Sequence, residues 1–376
     1  MKAKNIFTVL ALAVTLTACG ANKDTKMDEN ADDSKKMESK VEEGNKKDQE
    51  NEKSVIYTSF FPIYNLAKQI AGDKFEVRSF TNLKTESHGF EPSAKEIAEL
   101  SNAKLMFTNG AGMEEWEEKV KESTDVEFVN TSEGIDLIKA TEEDHEDHDH
   151  AHEEDHEDSD HDHEENHEDH DHAHEEDHED TDHDHEDHDH EEGEEGHHHH
   201  HHGEYDPHTW LDPANGKAQA KVIADKLSEI DPANKDYYMA NYEKIATELD
   251  EIVSDYKDKF SKVENNKFIV PHQAFGYVAR EFNLEQIPLN SLTSTGEAGS
   301  KVLKEVSDMA KDEKIKTVFY EMGGSDKAAK TLADEIGAEA KPISTLEFAT
   351  DEELDSNKTY QEMIKENLEA IYQSLS

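Results

Sequence analysis

Residues 142–203 offer a folded core almost nothing to bury. Apart from Ala151 and Ala173 the stretch is His, Asp and Glu with a few Ser, Thr, Asn and Gly. A segment that buries no apolar surface cannot offset the entropy of ordering it. Any fold must therefore be assembled from the sequence on either side. Of the 25 histidines in the chain, 22 lie between His145 and His202, and the remaining three are His88, His208 and His272. The tract is a duplication with a 22-residue period: the run from His145 to Glu165 recurs from His167 to Asp187 with two conservative changes, and His197 to His202 close it. His152–His156, His163–His167 and His174–His178 each satisfy an H-E-x-x-H pattern. That pattern functions on a packed helix, and nothing apolar here anchors one. The tract reads instead as a set of weak, shifting metal sites. His145, His148, His150, His152, His197, His198, His199, His200, His201 and His202 are its candidate accessory ligands.

The formal charge of the 376-residue chain is −53. Between Glu142 and Glu204 lie 33 of the 92 acidic residues and no Lys or Arg, and the remainder is still net acidic. This argues against nucleic acid or an anionic membrane as partner and suits cations. At the N-terminus Lys2 and Lys4 precede an apolar run from Ile6 to Leu16, too short to span a bilayer, which reads as a signal peptide over residues 1–19. It ends in Leu16-Thr17-Ala18-Cys19-Gly20, which resembles the lipobox of bacterial lipoproteins and makes Cys19 the expected site of lipid attachment. Cys19 is the only cysteine, so no intramolecular disulfide is possible. Residues 20–53 read as a disordered charged tether.

From Ser54 onward strand and helix signals alternate. Val55–Phe60, Phe75–Phe80, Lys104–Thr108 and Val126–Val129 are strand candidates, with helical patterns at Ile63–Ala71 and Ser93–Leu100. Beyond the tract, Tyr238, Tyr242, Ile245, Leu249, Ile252, Tyr256 and Phe260 recur every three or four residues, one face of a long helix within 234–263. A second series follows, with strands at Lys267–Val270, Leu284–Leu289, Lys316–Tyr320 and Ala340–Ser344. Its helices are Ser300–Lys311, Asp326–Ile336 and Tyr360–Ser374. Such alternation predicts parallel sheets covered on both faces. The expected fold is α/β: two pseudo-symmetric lobes, 54–233 with insert 142–203 and 264–376, joined by the long helix, with a metal site in the interlobe cleft.

Ligands of open α/β sheets bind beyond the carboxyl ends of the strands. His272 and Glu321 each follow such a strand, His88 lies in the loop after Phe80, and His208 stands in a Pro-bounded turn after the insert. Three imidazoles leave one tetrahedral position, and zinc(II) is the ion that most often takes such a set. Glu321 is the candidate for the fourth position, with Asp326 or water as alternatives.

Three blocks carry a resemblance: Glu86-Ser87-His88-Gly89-Phe90-Glu91-Pro92-Ser93, His208-Thr209-Trp210-Leu211-Asp212-Pro213 and Val270-Pro271-His272-Gln273-Ala274-Phe275-Gly276-Tyr277. Together they are similar to the signature blocks of the ZnuA/AdcA-like (cluster A-I) solute-binding lipoproteins of bacterial ABC importers, across essentially all of the chain from Ser54. The resemblance implies two lobes on a rigid backbone helix and delivery of metal to an ABC permease and its ATPase. It matches His88, His208 and His272 to the family's imidazole ligands and Glu321 to its carboxylate position. Manganese-binding relatives carry a carboxylate where this chain has His272, which points to zinc. A monomeric, non-enzymatic capture protein is expected, lipid-anchored on the extracytoplasmic face, with the tract as accessory collector or sensor. Two other readings use the same histidines. One is a secreted zinc hydrolase, against which four ligands leave no open position for substrate. The other is a metal-buffering surface adhesin without a transporter.

Overall fold

A computed structural model describes residues 53–140, 203–292 and 298–376. Cys19, the tether up to residue 52 and the His tract up to His202 lie outside these residues. Two four-stranded parallel sheets form the frame. The first contains β1 (Val55–Thr58), β2 (Glu76–Ser79), β3 (Leu105–Thr108) and β4 (Glu127–Asn130) in the order β2-β1-β3-β4. The second repeats it with β5 (Lys267–Val270), β6 (Glu285–Pro288), β7 (Thr317–Glu321) and β8 (Glu339–Ile343) in the order β6-β5-β7-β8. All pairings are parallel, so every connection within a sheet is a crossover, and each carries a helix. The inner strand β3 is buried along its whole length, whereas edge strand β2 alternates exposed and half-buried residues. The expected two-lobed α/β architecture is borne out.

The long helix read within 234–263 is present, and a further helix not read in the sequence pairs with it. Two helices, α4 (Pro213–Ile230) and α5 (Lys235–Phe260), turn back on each other through a short 3-10 helix at Pro232–Asn234. Lys217 reaches Asp250 at 2.6 Å and Tyr238 reaches Asp231 at 2.6 Å, which fixes the antiparallel pairing. α4 shows little amphipathic pattern because its buried face is built of small or polar residues: Gly216, Gln219, Ala220 and Ala224, with Ile223 and Leu227. Its start is well signalled, since Asp212 accepts from Ala214 N at 2.9 Å and Pro213 occupies the first helical position.

One apolar cluster runs through both lobes. It joins Ile56, Phe60 and Phe107 of the first to Phe268, Val270 and Phe319 of the second through Trp210, Tyr238, Tyr256 and Tyr360. Tyr360 opens α10 (Tyr360–Leu375), the helix that closes the chain, and its hydroxyl donates to Trp210 O while Trp210 Nε1 donates to Thr345 O at 2.7 Å. Gly216 leaves room for that hydroxyl: a Cβ there would lie 2.1 Å from Tyr360 Oη. Gly216→Ala gains helix propensity but forces a fully buried ring aside. It is expected to destabilise the chain by about 1–3 kcal/mol in chemical denaturation; an unchanged midpoint would mean that Tyr360 yields freely.

Candidate metal centre

Each lobe delivers its side chains at the carboxyl ends of its strands. His88 lies between β2 and α2 (Ala94–Leu100), a helix fixed by a Ser93–Glu96 capping box. Phe90 N donates to Ser87 O, closing a tight turn around His88, and Gly89 takes φ 69° at the position where such a turn favours glycine. His208 precedes the single 3-10 turn Thr209–Leu211 that leads into α4. His272 follows β5 by two residues, and Ala274 N bonds back to its carbonyl at 2.8 Å.

These three imidazoles converge with a carboxylate. One ligand atom each from His88, His208, His272 and Glu347 lie within 4.8 Å of one another. Ligands of a tetrahedral zinc at about 2.0–2.1 Å stand roughly 3.3 Å apart, so small side-chain adjustments suffice to close the set. His88 Nε2 is 3.2 Å from His208 Nε2 and 3.3 Å from Glu347 Oε1. His208 and Glu347 are fully buried and His272 nearly so. His272 Nε2 is buried without a hydrogen-bond partner, and buried polar atoms of this kind ordinarily have one. A cation held by this group would satisfy it.

The surroundings orient the ligands. His208 Nδ1 and its own backbone N–H both meet Asp206 Oδ1 at 2.9 Å. With Nδ1–H donating to that carboxylate, the Nε2 lone pair is left for a metal. Glu347 Oε2 accepts from Ser87 N at 3.2 Å, tying the second lobe to the turn that carries His88.

Charge in the empty centre is set by burial and by this carboxylate. Burial pushes Glu347 up, but the His88, His208 and His272 imidazoles outweigh it and hold it down at about 2. Burial opposes a charge on His88, yet Glu347 raises it to about 9. Burial, followed by His208, lowers His272 to about 3. At neutral pH the empty centre thus carries a proton on His88, paired with ionised Glu347.

Glu321 stands elsewhere than the sequence suggested. It ends β7, where its Oε1 accepts from Thr345 N at 3.1 Å and from Thr345 Oγ1 at 3.0 Å. Its Oε2 lies 3.8 Å from His272 Nδ1, on the far side of that ring from the unpartnered Nε2, and burial raises its carboxyl to about 8. The structure brings Glu347, not Glu321, into the group with the three histidines. Asp326 is engaged with Lys330 at 2.5 Å. The strand-end rule that singled out Glu321 after β7 applies equally to the segment after β8, where Glu347 lies. Asp206 lies two residues before His208, and neither a strand end nor a histidine pattern in the sequence marks it as the partner of that ring.

Two lobes of parallel sheet closed over three imidazoles and a carboxylate define a two-lobed metal-binding protein. Residues 56–374 match the family of the periplasmic zinc-uptake complex component A, and the chain belongs to that family. It is 32% identical over 331 residues to the high-affinity zinc uptake system protein ZnuA of Bacillus subtilis, covering 87% of this chain and 89% of that protein. Against the zinc-binding lipoprotein AdcA of Streptococcus pneumoniae the identity is 28% over 322 residues, covering 85% of this chain and 55% of AdcA. The laminin-binding protein Lmb of Streptococcus agalactiae, described as bifunctional with adhesin and metal-transporting activity, superposes with a TM-score of 0.65. Its identity is 27%, and the match covers 86% of this chain and 100% of Lmb. Zinc binding as part of zinc uptake is the family's role.

A pH dependence follows from the empty centre. Zinc must displace the His88 proton, so the first equivalent is expected to release about one proton at pH 7.5. Affinity then rises with pH by about tenfold per unit until the His88 value of about 9 is passed. Glu321, raised to about 8, adds a fraction more as the ion's charge lowers it. Calorimetry in buffers of different ionisation enthalpy measures this directly; zero proton release would mean that His88 is neutral in the empty protein.

Proposed function

We propose that this protein captures zinc(II) on the extracytoplasmic side of the membrane and hands it to an ABC permease driven by its ATPase. In this reading His88, His208 and His272 bind through Nε2 and Glu347 through its carboxylate. Glu321 steers His272 from behind. Residues 1–19 are the signal peptide, Cys19 bears the lipid, 20–53 are the tether, and the protein works as a monomer. Lipoprotein relatives such as AdcA support the anchor. The observation that carries the assignment is the convergence of three imidazoles and a fully buried carboxylate in one four-residue group, with His272 Nε2 buried and unpartnered inside it. Three imidazoles and one carboxylate suit zinc better than manganese, which prefers oxygen donors. Four protein ligands also fill a tetrahedral sphere, which favours carriage over hydrolysis.

The His tract is proposed as an accessory collector. The chain leaves for it and returns from it at one place: Lys139 and Tyr205 form an antiparallel bridge, and Ala140 N donates to Glu204 O at 3.0 Å. Ions held by the tract would therefore be released close to His208 in sequence and in space.

Calorimetric titration of zinc, with manganese as competitor, into a chain lacking residues 142–203 tests the assignment. One tight zinc site is expected, with manganese unable to displace the ion. Glu321→Gln should weaken it by about 10–100-fold, as loss of an orienting partner does, and Glu347→Gln by more. A site abolished by Glu321→Gln and untouched by Glu347→Gln would return the fourth position to Glu321. The absence of any tight site would make the tract itself the binder.

A further inference from the structure

The loop of His208 is held to itself by two short-range backbone bonds, Thr209 N to Pro207 O at 2.8 Å and Leu211 N to His208 O at 3.3 Å. The φ of −76° and ψ of 39° at His208 lie between the regular conformations, and the preceding residue is Pro207, which has no N–H to give. These local bonds shape the turn but do not tie it to the first sheet; side chains that reach the loop do. One carboxamide reaches it from both sides. Asn109, the first residue past β3 and fully buried, donates from Nδ2 to Pro207 O at 2.9 Å. Its Oδ1 accepts from Thr209 Oγ1, also at 2.9 Å. Asn109 thus grips the residues immediately before and after His208.

Asn109 is seated in turn by Glu114, a carboxylate with only 8% exposure. Asn109 N donates to Glu114 Oε1 at 2.7 Å and Gly110 N to Glu114 Oε2 at 2.9 Å. From α4, Gln219 Nε2 donates to Asn109 Oδ1 at 2.8 Å, and Ser132 Oγ meets Thr209 Oγ1 at 3.0 Å. A buried polar assembly of this kind is costly unless its members are satisfied, and stability alone gives weak reason to keep one. Its placement supplies the reason. It ends on the two peptide neighbours of a metal ligand and leaves the imidazole itself to Asp206.

We propose that Asn109, seated by Glu114, is the positioning residue that fixes His208 at the metal centre, so that zinc affinity depends on a carboxamide that never touches the ion. The proposal rests on the assignment of His208 as a ligand.

The test uses the full chain, with zinc affinity read by competition against a tight chelator, which ignores the weak sites of the tract. The visible spectrum with one equivalent of cobalt(II) reports ligand geometry. Asn109→Ala and the isosteric Asn109→Asp, which keeps the acceptor but loses the donor to Pro207, are expected to weaken zinc by about 10–100-fold and to alter the cobalt bands. Tyr256→Phe is the control: it removes the buried tyrosine's bonds to Lys365 O at 3.2 Å and Glu369 Oε2 at 2.9 Å, neither of which reaches Asn109 or the residues flanking His208. It should lower the melting temperature while leaving affinity and spectrum unchanged. Wild-type affinity and spectrum in either folded Asn109 variant would overturn the proposal, as would an equal loss in Tyr256→Phe. If His208→Ala leaves the tight site intact, the ligand assignment fails and takes this proposal with it; if His208→Ala abolishes the site and the Asn109 variants do not, only the positioning role falls.

Discussion

A carboxylate shut completely away from water is the constraint around which the centre is built. An unpaired ionised group in that position would cost several kcal/mol. Glu347 avoids the cost in two ways: Ser87 N–H donates to one oxygen, and the protonated His88 faces the other. Both partners come from the opposite lobe. The same negative charge that fits the centre for a cation therefore also holds the lobes together when no cation is present. Zinc exchanges one positive charge for a larger one at the same place, and the carboxylate keeps its compensation throughout.

The shared core restricts what can move as this exchange occurs. The apolar cluster that includes Phe60, Trp210 and Tyr360 is continuous between the lobes, and Ala349 N donates to Leu83 O at 2.8 Å beside the centre. Wide hinge opening would break this core. Movement confined to the loops carrying His88 and Glu347 would not, because the short turns at Ser87–Phe90 and Ser344–Glu347 are held by a few hydrogen bonds. The zinc-loaded and zinc-free forms are therefore expected to differ mainly in these loops.

The inner strands β1, β3, β5 and β7 were readable as short apolar or β-branched runs, the edge strands β2, β4, β6 and β8 only as mixed segments flanking them, and parallel pairing follows from helices falling between them. The three histidines were readable because the tract absorbed every other one. α4 was harder to see. Gly216, Gln219, Ala220 and Ala224 face inward there, and small residues leave little hydrophobic period even when fully packed. Glu347 was harder still. Sequence places acidic residues at or beyond the ends of both β7 and β8, but which of them enters the cleft depends on side-chain direction. Leu346, in a left-handed conformation at φ 58°, is part of a turn that no periodicity announces. Sequence supplied the strand ends; the turn decided the ligand.

The base of the insert shows how a repetitive tract can coexist with an exacting centre. Asp206 N donates to Ile138 O at 2.9 Å, and the Tyr277 hydroxyl donates to Asp206 O at 2.7 Å while accepting from Ile138 N at 3.2 Å. Arg280 adds a bond to Asp136 O at 2.8 Å. The two strands of the neck are thereby fixed to each other and to α6 (Gly276–Phe282), the helix that follows His272. Once the ends of a loop are pinned, lengthening it costs little, since closure entropy grows only with the logarithm of length. Duplication within the tract leaves the neck unchanged. The neck itself has no such latitude, because Asp206 is both its last hydrogen-bonded residue and the partner that sets the His208 tautomer. A change at Asp206, Tyr277 or Gly276, where a Cβ would come within 2.7 Å of Asp206 Oδ2, therefore disturbs the neck and the orientation of His208 together, whereas a change in tract length touches neither.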